Sequence, residues 1–205
     1  METKINYNEK MKETINNLDY VPRILLHSCC GPCSTAVISR LTPYFDITIL
    51  YYNPNIEPIE EYAKRKKEQI KFINNYQGIH KIEFLDIDYA NEDFLGIVTG
   101  LENEPEGGAR CHACYRLRLE KTASLAKEKG FDYFGTTLTV SPYKNAQVIN
   151  PIGKELEDEY QIKYLYADFK KEEGYKKSVE LAKEYQLYRQ NYCGCHFSKV
   201  NELDE

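Results

Sequence analysis

Apolar and polar positions are arranged in short blocks of two kinds, and the blocks alternate along the chain. Arg23 to Ser28 (Arg-Ile-Leu-Leu-His-Ser) is a brief apolar run that predicts a buried strand. It ends in the turn Cys29-Cys30-Gly31-Pro32-Cys33, and Ser34 to Leu41 then reads as a helix. Asp46 to Tyr52 predicts a second strand, closed by Asn53-Pro54-Asn55, and Ile59 to Tyr76 a long amphipathic helix rich in lysine. Lys81 to Asp86 predicts a third strand and Asn91 to Gly100 a short helix, leading to a flexible stretch from Glu102 to Gly108. Arg110 to Lys129 predicts a helix stopped by Gly130, Tyr133 to Thr137 a fourth strand and Ile162 to Tyr166 a fifth. Asn145 to Tyr160 reads as one short helix and a loop, and Tyr175 to Tyr185 as a last helix. No internal repeat or low-complexity tract interrupts this order.

Short apolar strands alternating with helices predict an α/β fold, with a mostly parallel five-stranded sheet covered by helices on both faces. The expected organisation is an N-terminal extension over residues 1–20 and one α/β domain over residues 21–205. Sheets of this kind bind ligands beyond the carboxyl ends of their strands. The polar residues agree: Cys29 and Cys30 follow the first predicted strand, Asp86 and Asp88 the third, Thr137, Thr139 and Ser141 the fourth, and Asp168 the fifth.

Charge narrows the partners. The 205 residues include 27 basic and 32 acidic side chains, a net charge of −5, so no overall cationic field attracts nucleic acid and any such contact is local. The basic groups Lys64 to Lys67, Arg116 with Arg118 and Lys121, and Lys170-Lys171 with Lys176-Lys177 read first as solvated helix faces. The longest apolar runs, such as Ile47 to Tyr52, are too short to cross a bilayer, so no membrane partner is expected. Met1 to Tyr20 carries no secretory pattern, and the expected compartment is the cytoplasm. Eighteen tyrosines and no tryptophan suit core packing first and base stacking second.

In a reducing compartment, seven cysteines point to metal or redox chemistry before structural disulfides. Cys111 and Cys114 form a C-x-x-C in the first turn of a predicted helix, where side chains three apart share a face at ~5–6 Å. The helix terminus there favours thiolates. Cys29 and Cys30 are adjacent, with Cα atoms ~3.8 Å apart, closer than the ~4.4–6.8 Å of a disulfide; they suit separate ligation, with Cys33 facing another centre. Cys30-Gly31-Pro32-Cys33 is also the thioredoxin spacing. Cys193-Gly194-Cys195 suits either a strained, labile disulfide or metal ligation. Four thiolates complete a [4Fe–4S] cluster and leave three for a second iron, a redox pair, or both. Zinc accepts the same ligands. His27, His112 and His196 each neighbour one of these cysteines, as groups for hydrogen bonds to sulfur or for proton delivery, although His27 inside a strand also suits a satisfied core position. Asp86, Asp88 and Asp168 are candidate general acids or helix caps.

Taken together, His27-Ser-Cys-Cys-Gly-Pro-Cys33, Arg110-Cys-His-Ala-Cys-Tyr115, Gly135-Thr-Thr-Leu138, Ser141-Pro-Tyr-Lys-Asn145, Ala167-Asp-Phe-Lys-Lys171 and Tyr192-Cys-Gly-Cys195 resemble the QueH-type epoxyqueuosine reductases, from about Leu25 to Ser198. The resemblance implies a single Rossmann-like (HUP-like) domain. It implies the two-electron removal of the epoxide oxygen from epoxyqueuosine at the wobble position of tRNA, with electrons from an external donor. By the same resemblance Cys29, Cys30, Cys111 and Cys114 hold a [4Fe–4S] cluster, an additional iron ion lies near it with Cys33 as a metal ligand, and Cys193 and Cys195 form a redox-active pair that closes as a disulfide. Asp168 is a candidate proton source, and Arg116, Lys144 and Lys170-Lys171 candidate phosphate contacts. The competing readings are an Fe–S-dependent tRNA-thiolation enzyme and a structural-zinc RNA-binding module. Thiolation enzymes need a glycine- and serine-rich phosphate loop after the first strand, where this chain has His27-Ser28-Cys29-Cys30.

Overall fold

The computed structural model describes residues 4–198; the ends of the two expected units, residues 1–3 and 199–205, lie outside them. Five strands form one sheet: β1 (Arg23–His27), β2 (Asp46–Leu50), β3 (Ile82–Leu85), β4 (Tyr133–Thr136) and β5 (Lys163–Tyr164). Their order is β3-β2-β1-β4-β5, and each neighbouring pair is parallel. The chain leaves β1 for β2 on one side and later returns to β4 on the other. The order therefore reverses at β1 and β4, and a crevice opens beyond their carboxyl ends.

Alternation along β1 sets the two layers. Ile24 and Leu26 join one core with Val37 and Ile38 of α2 (Gly31–Leu41), Phe72 of α3 (Ile59–Asn75) and Ala182 of α7 (Gly174–Glu184). Leu25 faces the opposite core, with Leu119 and Ala123 of α5 (Ala109–Glu128) and Ile149 and Leu156 of α6 (Ala146–Tyr160). Helix α4 (Asn91–Val98) packs through Phe94 and Val98 against the start of α5. The α/β architecture with helices on both faces is thus the one the block pattern predicts, and the sheet is parallel throughout the described residues.

Three local readings change. Residues 1–20 contain α1 (Tyr7–Asn16), capped by the Asn6 side chain, and its Met11 is fully buried in the main core. Helix α2 starts at Gly31, inside the stretch read as a turn, because Cys30 caps it with sulfur and Pro32 sits in the first turn, where its missing N–H costs nothing. Gly31 is required there: a Cβ would stand 2.9 Å from the Glu68 carbonyl oxygen of α3. Finally, α6 is a single 15-residue helix that runs through Pro151, capped by Asn145 and tied by Asn150 to both Ala146 and the Ala167 backbone.

Candidate active site

The floor of the crevice is set by His27, the last residue of β1. Its Nε2–H donates to the Tyr52 carbonyl at 3.1 Å, which leaves Nδ1 to accept from the Thr136 hydroxyl at 3.0 Å. Burial lowers the His27 pKa to about 3, helped by the charge of Arg118, so the ring stays neutral and acts as a satisfied core brace.

Directly after this brace, Cys29, Cys30 and Cys33 bring their sulfurs within 4.8 Å of one another, and no other group of three such ligands is this close among the described residues. Cys29 and Cys30 are 3.9 Å apart, and the Cys33 N–H donates to the Cys30 sulfur at 3.3 Å. Hydrogen bonds from Cys30 and Cys33, with the charge of Lys144, hold Cys29 well below the ordinary thiol range. Burial pushes Cys30 up to about 12, and its bonding to Cys29 raises Cys33 well above its ordinary value. A soft, convergent thiol group of this kind can bind a metal ion.

The C-terminal segment closes the crevice from the other side. Cys29, Cys33 and Cys193 line one cleft of about 530 Å³ together with Arg118, Lys144 and Asn53. Lys144 is only 7% exposed, and its Nζ lies 3.2 Å from the Cys193 sulfur. Burial alone would lower the Lys144 pKa, but the charges of Cys193, Tyr115 and Cys29 outweigh it and hold the ammonium protonated. Arg65 of α3 donates from Nη1 to the Cys193 carbonyl at 2.9 Å and from Nε to Glu61 at 2.6 Å. The Glu57 N–H donates to the Gly194 carbonyl at 2.9 Å, and the Glu57 carboxylate meets His196 at 2.7 Å. The Cys193-Gly194-Cys195 segment is thereby fixed to the rim.

The C-x-x-C stands at the start of α5 as predicted. Cys111 accepts from the Gly107 N–H at 3.2 Å. Cys114 is buried with Phe94, Val98 and Cys195 in one apolar cluster, and burial pushes its pKa up to about 11. Cys29 and Cys111 both border the core cluster that contains Tyr115. All three cysteine segments thus lie around one end of the sheet, but the tight trio is Cys29, Cys30 and Cys33, and Cys111 and Cys114 are not part of it.

All seven cysteines are free. The disulfide expected between Cys193 and Cys195 is not formed, because the two sulfurs face different partners: Cys193 meets Lys144, and Cys195 meets the Ser198 hydroxyl at 3.6 Å. The Asp168 carboxylate takes the Lys170 ammonium at 2.8 Å and is not among the residues lining the cleft. His112 lies on α5 with its ring centroid 6.4 Å from that of Tyr115.

Several cations sit elsewhere than predicted, although Arg116 pairs with Glu155 and Glu159 on the exposed face of α5, the solvated helix surface of its first reading, and Lys170 pairs with Asp168. Lys144 is drawn into the cleft beside sulfur. Arg65 and Arg118, read as solvated, are 2% and 1% exposed and reach the site. Helical spacing carried the signal: Arg65 falls on the buried stripe Tyr62, Gln69 and Phe72 of α3, and Arg118 is four residues past Cys114.

Comparison with known proteins bears on this site. A family model described as Epoxyqueuosine reductase QueH matches residues 24–201. Proteins named epoxyqueuosine reductase QueH are similar to the chain: one from Staphylococcus epidermidis is 43% identical, covering 97% of this chain and 87% of its own. One from Streptococcus pyogenes serotype M1 is 44% identical, covering 98% and 81%. One from Thermotoga maritima is 36% identical, covering 89% and 93%.

Proposed function

The chain belongs to the epoxyqueuosine reductase QueH family, and we propose that its thiol-lined cleft is the place where epoxyqueuosine at the wobble position of tRNA is reduced to queuosine. It is an oxidoreductase by that membership. The observation that carries the assignment of the site is the meeting of Cys29, from the trio after β1, with Cys193 and Lys144 in one cleft at the topological switch point.

Both carbon–oxygen bonds of the epoxide break, a carbon–carbon double bond forms, and the oxygen leaves as water after taking two electrons and two protons. Cys193 and Cys195 form the two-electron couple in this reading. Their two thiols supply those electrons and protons as they close to a disulfide, and an external donor then reduces them again. Lys144 holds a proton at Nζ beside Cys193 and steadies the negative charge that develops there. Arg65 and Glu57 keep the Cys193 segment over the cleft while its sulfur changes partner. Asp168, paired with Lys170 away from the cleft lining, takes no part in this step.

The trio after β1 fits a metal centre, being soft, convergent thiols; in this reading Cys111 and Cys114, which stand outside the trio at the start of α5, complete the donor set. Cys29, Cys30, Cys111 and Cys114 would hold a [4Fe–4S] cluster and Cys33 would serve an additional iron ion. When bound, such a centre supplies Lewis acidity toward the epoxide oxygen and a store of electrons. Among the described residues no helix is long and apolar enough to cross a membrane, and in this reading the enzyme meets tRNA in the cytoplasm.

The test is anaerobic loading with iron and sulfide, followed by incubation with epoxyqueuosine-containing tRNA and a reductant. The expected product is a nucleoside lighter by one oxygen. Colourless protein that holds only zinc and leaves the tRNA unchanged would overturn the reading in favour of a structural-zinc module.

A further inference from the structure

The mouth of the cleft carries a feature that the chemistry inside it does not use. Ser141, Pro142, Tyr143 and Lys144 form a tight turn, with the Lys144 N–H donating to the Ser141 carbonyl at 3.2 Å and the Tyr143 N–H to the Ser141 hydroxyl at 3.3 Å. The turn splits two neighbouring side chains. Lys144 points inward and is 7% exposed, while Tyr143 points outward and is 80% exposed, the highest value among the exposed large apolar side chains. Tyr143 nevertheless lines the cleft, so its ring stands at the entrance. Tyr175, at the start of α7, lines the same entrance with the Arg189 guanidinium 5.2 Å from its ring centroid. Arg189 makes no ion pair among the described residues.

Local charge separates this entrance from the rest of the surface. Among the described residues the formally charged side chains lining the cleft are Arg118, Lys144 and Arg189 against the carboxylate of Glu106, in a protein of net charge −5; Arg118 and Lys144 are buried inside, so the exposed Arg189 is the cation left at the mouth. An exposed aromatic and an exposed guanidinium at the mouth of one cleft suit single-stranded nucleic acid: a base stacks on the ring and a phosphate meets the cation. Tyrosine does this at low entropic cost because it has few rotatable bonds, and here the turn fixes its backbone as well.

We propose that Tyr143 is a stacking platform for an unpaired nucleotide flanking the one in the cleft, and that Arg189, backed by Tyr175, receives the adjoining phosphate. This assigns the entrance to the single-stranded loop of the RNA and makes Tyr143 a specificity residue for RNA over free nucleoside. The inference rests on the cleft being the nucleoside site, and its test is chosen to stand apart from turnover.

The test is fluorescence anisotropy with a labelled anticodon stem-loop carrying ordinary guanosine at the wobble position, so that binding is read without any reaction. Tyr143→Ala should weaken binding roughly 5- to 100-fold, within the range for loss of one stacked base. Tyr143→Phe should stay within about twofold of the parent, because the ring face remains. Tyr20, 54% exposed and bonded to Asp132 before β1, lies at the opposite ends of the strands, and Tyr20→Ala should change nothing. Arg189→Gln should lower the slope of log affinity against log salt by about 0.7, the loss of one single-strand phosphate contact. In turnover, Tyr143→Ala should raise KM for tRNA with kcat unchanged and leave the free modified nucleoside unaffected. Unaltered loop binding by Tyr143→Ala would overturn the proposal while leaving the reductase reading intact. Equal losses on loop RNA and free nucleoside would also overturn it, since Tyr143 would then shape the nucleoside cleft itself.

Discussion

Lys144 and Cys193 meet with nitrogen and sulfur 3.2 Å apart although 49 positions separate them in the chain. The contact joins the turn after β4 to the C-terminal segment, and it places a protonated, nearly buried ammonium beside a thiol of the cleft. A charge-assisted hydrogen bond of this kind contributes roughly 1.5–3 kcal/mol. Lys144→Met should therefore lower kcat/KM on modified tRNA roughly 10- to 100-fold, with Lys144→Arg less impaired and bound iron unchanged in both. Steady-state kinetics paired with iron analysis checks this; full activity in Lys144→Met would refute it.

The fastening of the C-terminal segment makes a second prediction. Gly194 has φ +133, and a Cβ there would stand 2.9 Å from Ile56 Cγ1 and 3.2 Å from Arg65 Nη1. Gly194→Ala should cost on the order of 1–3 kcal/mol through backbone strain and crowding. Arg65→Gln should cost about 3–5 kcal/mol, because it leaves Glu61 without its buried partner. The two sites touch, so the double variant should lose less than the sum. Urea unfolding of the four proteins supplies the cycle, and strict additivity would show that Arg65 does not hold the segment.

Stability should fall on the alkaline side. Burial raises the phenols of Tyr51, Tyr62 and Tyr164, that of Tyr62 to about 12. A phenol whose folded pKa exceeds its unfolded value of 10 keeps its proton longer in the native state. Its contribution is fully present below pH 10 and is lost as pH rises through the folded pKa. For Tyr62 the loss is on the order of 2 kcal/mol by pH 12. Spectrophotometric titration should show exposed tyrosines ionising smoothly near pH 10 and buried ones only together with unfolding. One smooth curve for the whole set, with far-ultraviolet dichroism unchanged, would contradict this.

What the sequence disclosed followed from periodicity. Short apolar runs such as Arg23 to Ser28, alternating with helices such as Arg110 to Lys129, were enough to predict the layers, and the placement of Cys29 and Cys111 at element ends followed from them. The basic residues were harder to read. A run such as Lys64-Arg65-Lys66-Lys67 looks solvated as a run, yet only its second member lies on the stripe of Tyr62, Gln69 and Phe72 that faces the protein. The closeness of Cys33 to Cys29 was hidden by the reading of residues 29–33 as a turn; once Cys30 caps α2, Cys33 falls in its first turn, beside the capping sulfur. The Lys144–Cys193 pair joins two loops across the sheet, and no local pattern announces such a contact.

The central claim is that thiols from separate segments divide their work at one site, the trio after β1 together with Cys111 and Cys114 holding metal and the C-terminal pair carrying electrons. It is tested most directly by measuring iron per chain and turnover on epoxyqueuosine-containing tRNA in Cys29→Ser, Cys30→Ser and Cys193→Ser after identical anaerobic loading. Cys29→Ser and Cys30→Ser should lose iron and turnover together, while Cys193→Ser should keep its iron and lose turnover. Retention of full iron and activity by Cys29→Ser, or loss of iron by Cys193→Ser to the same extent as the others, would contradict the account.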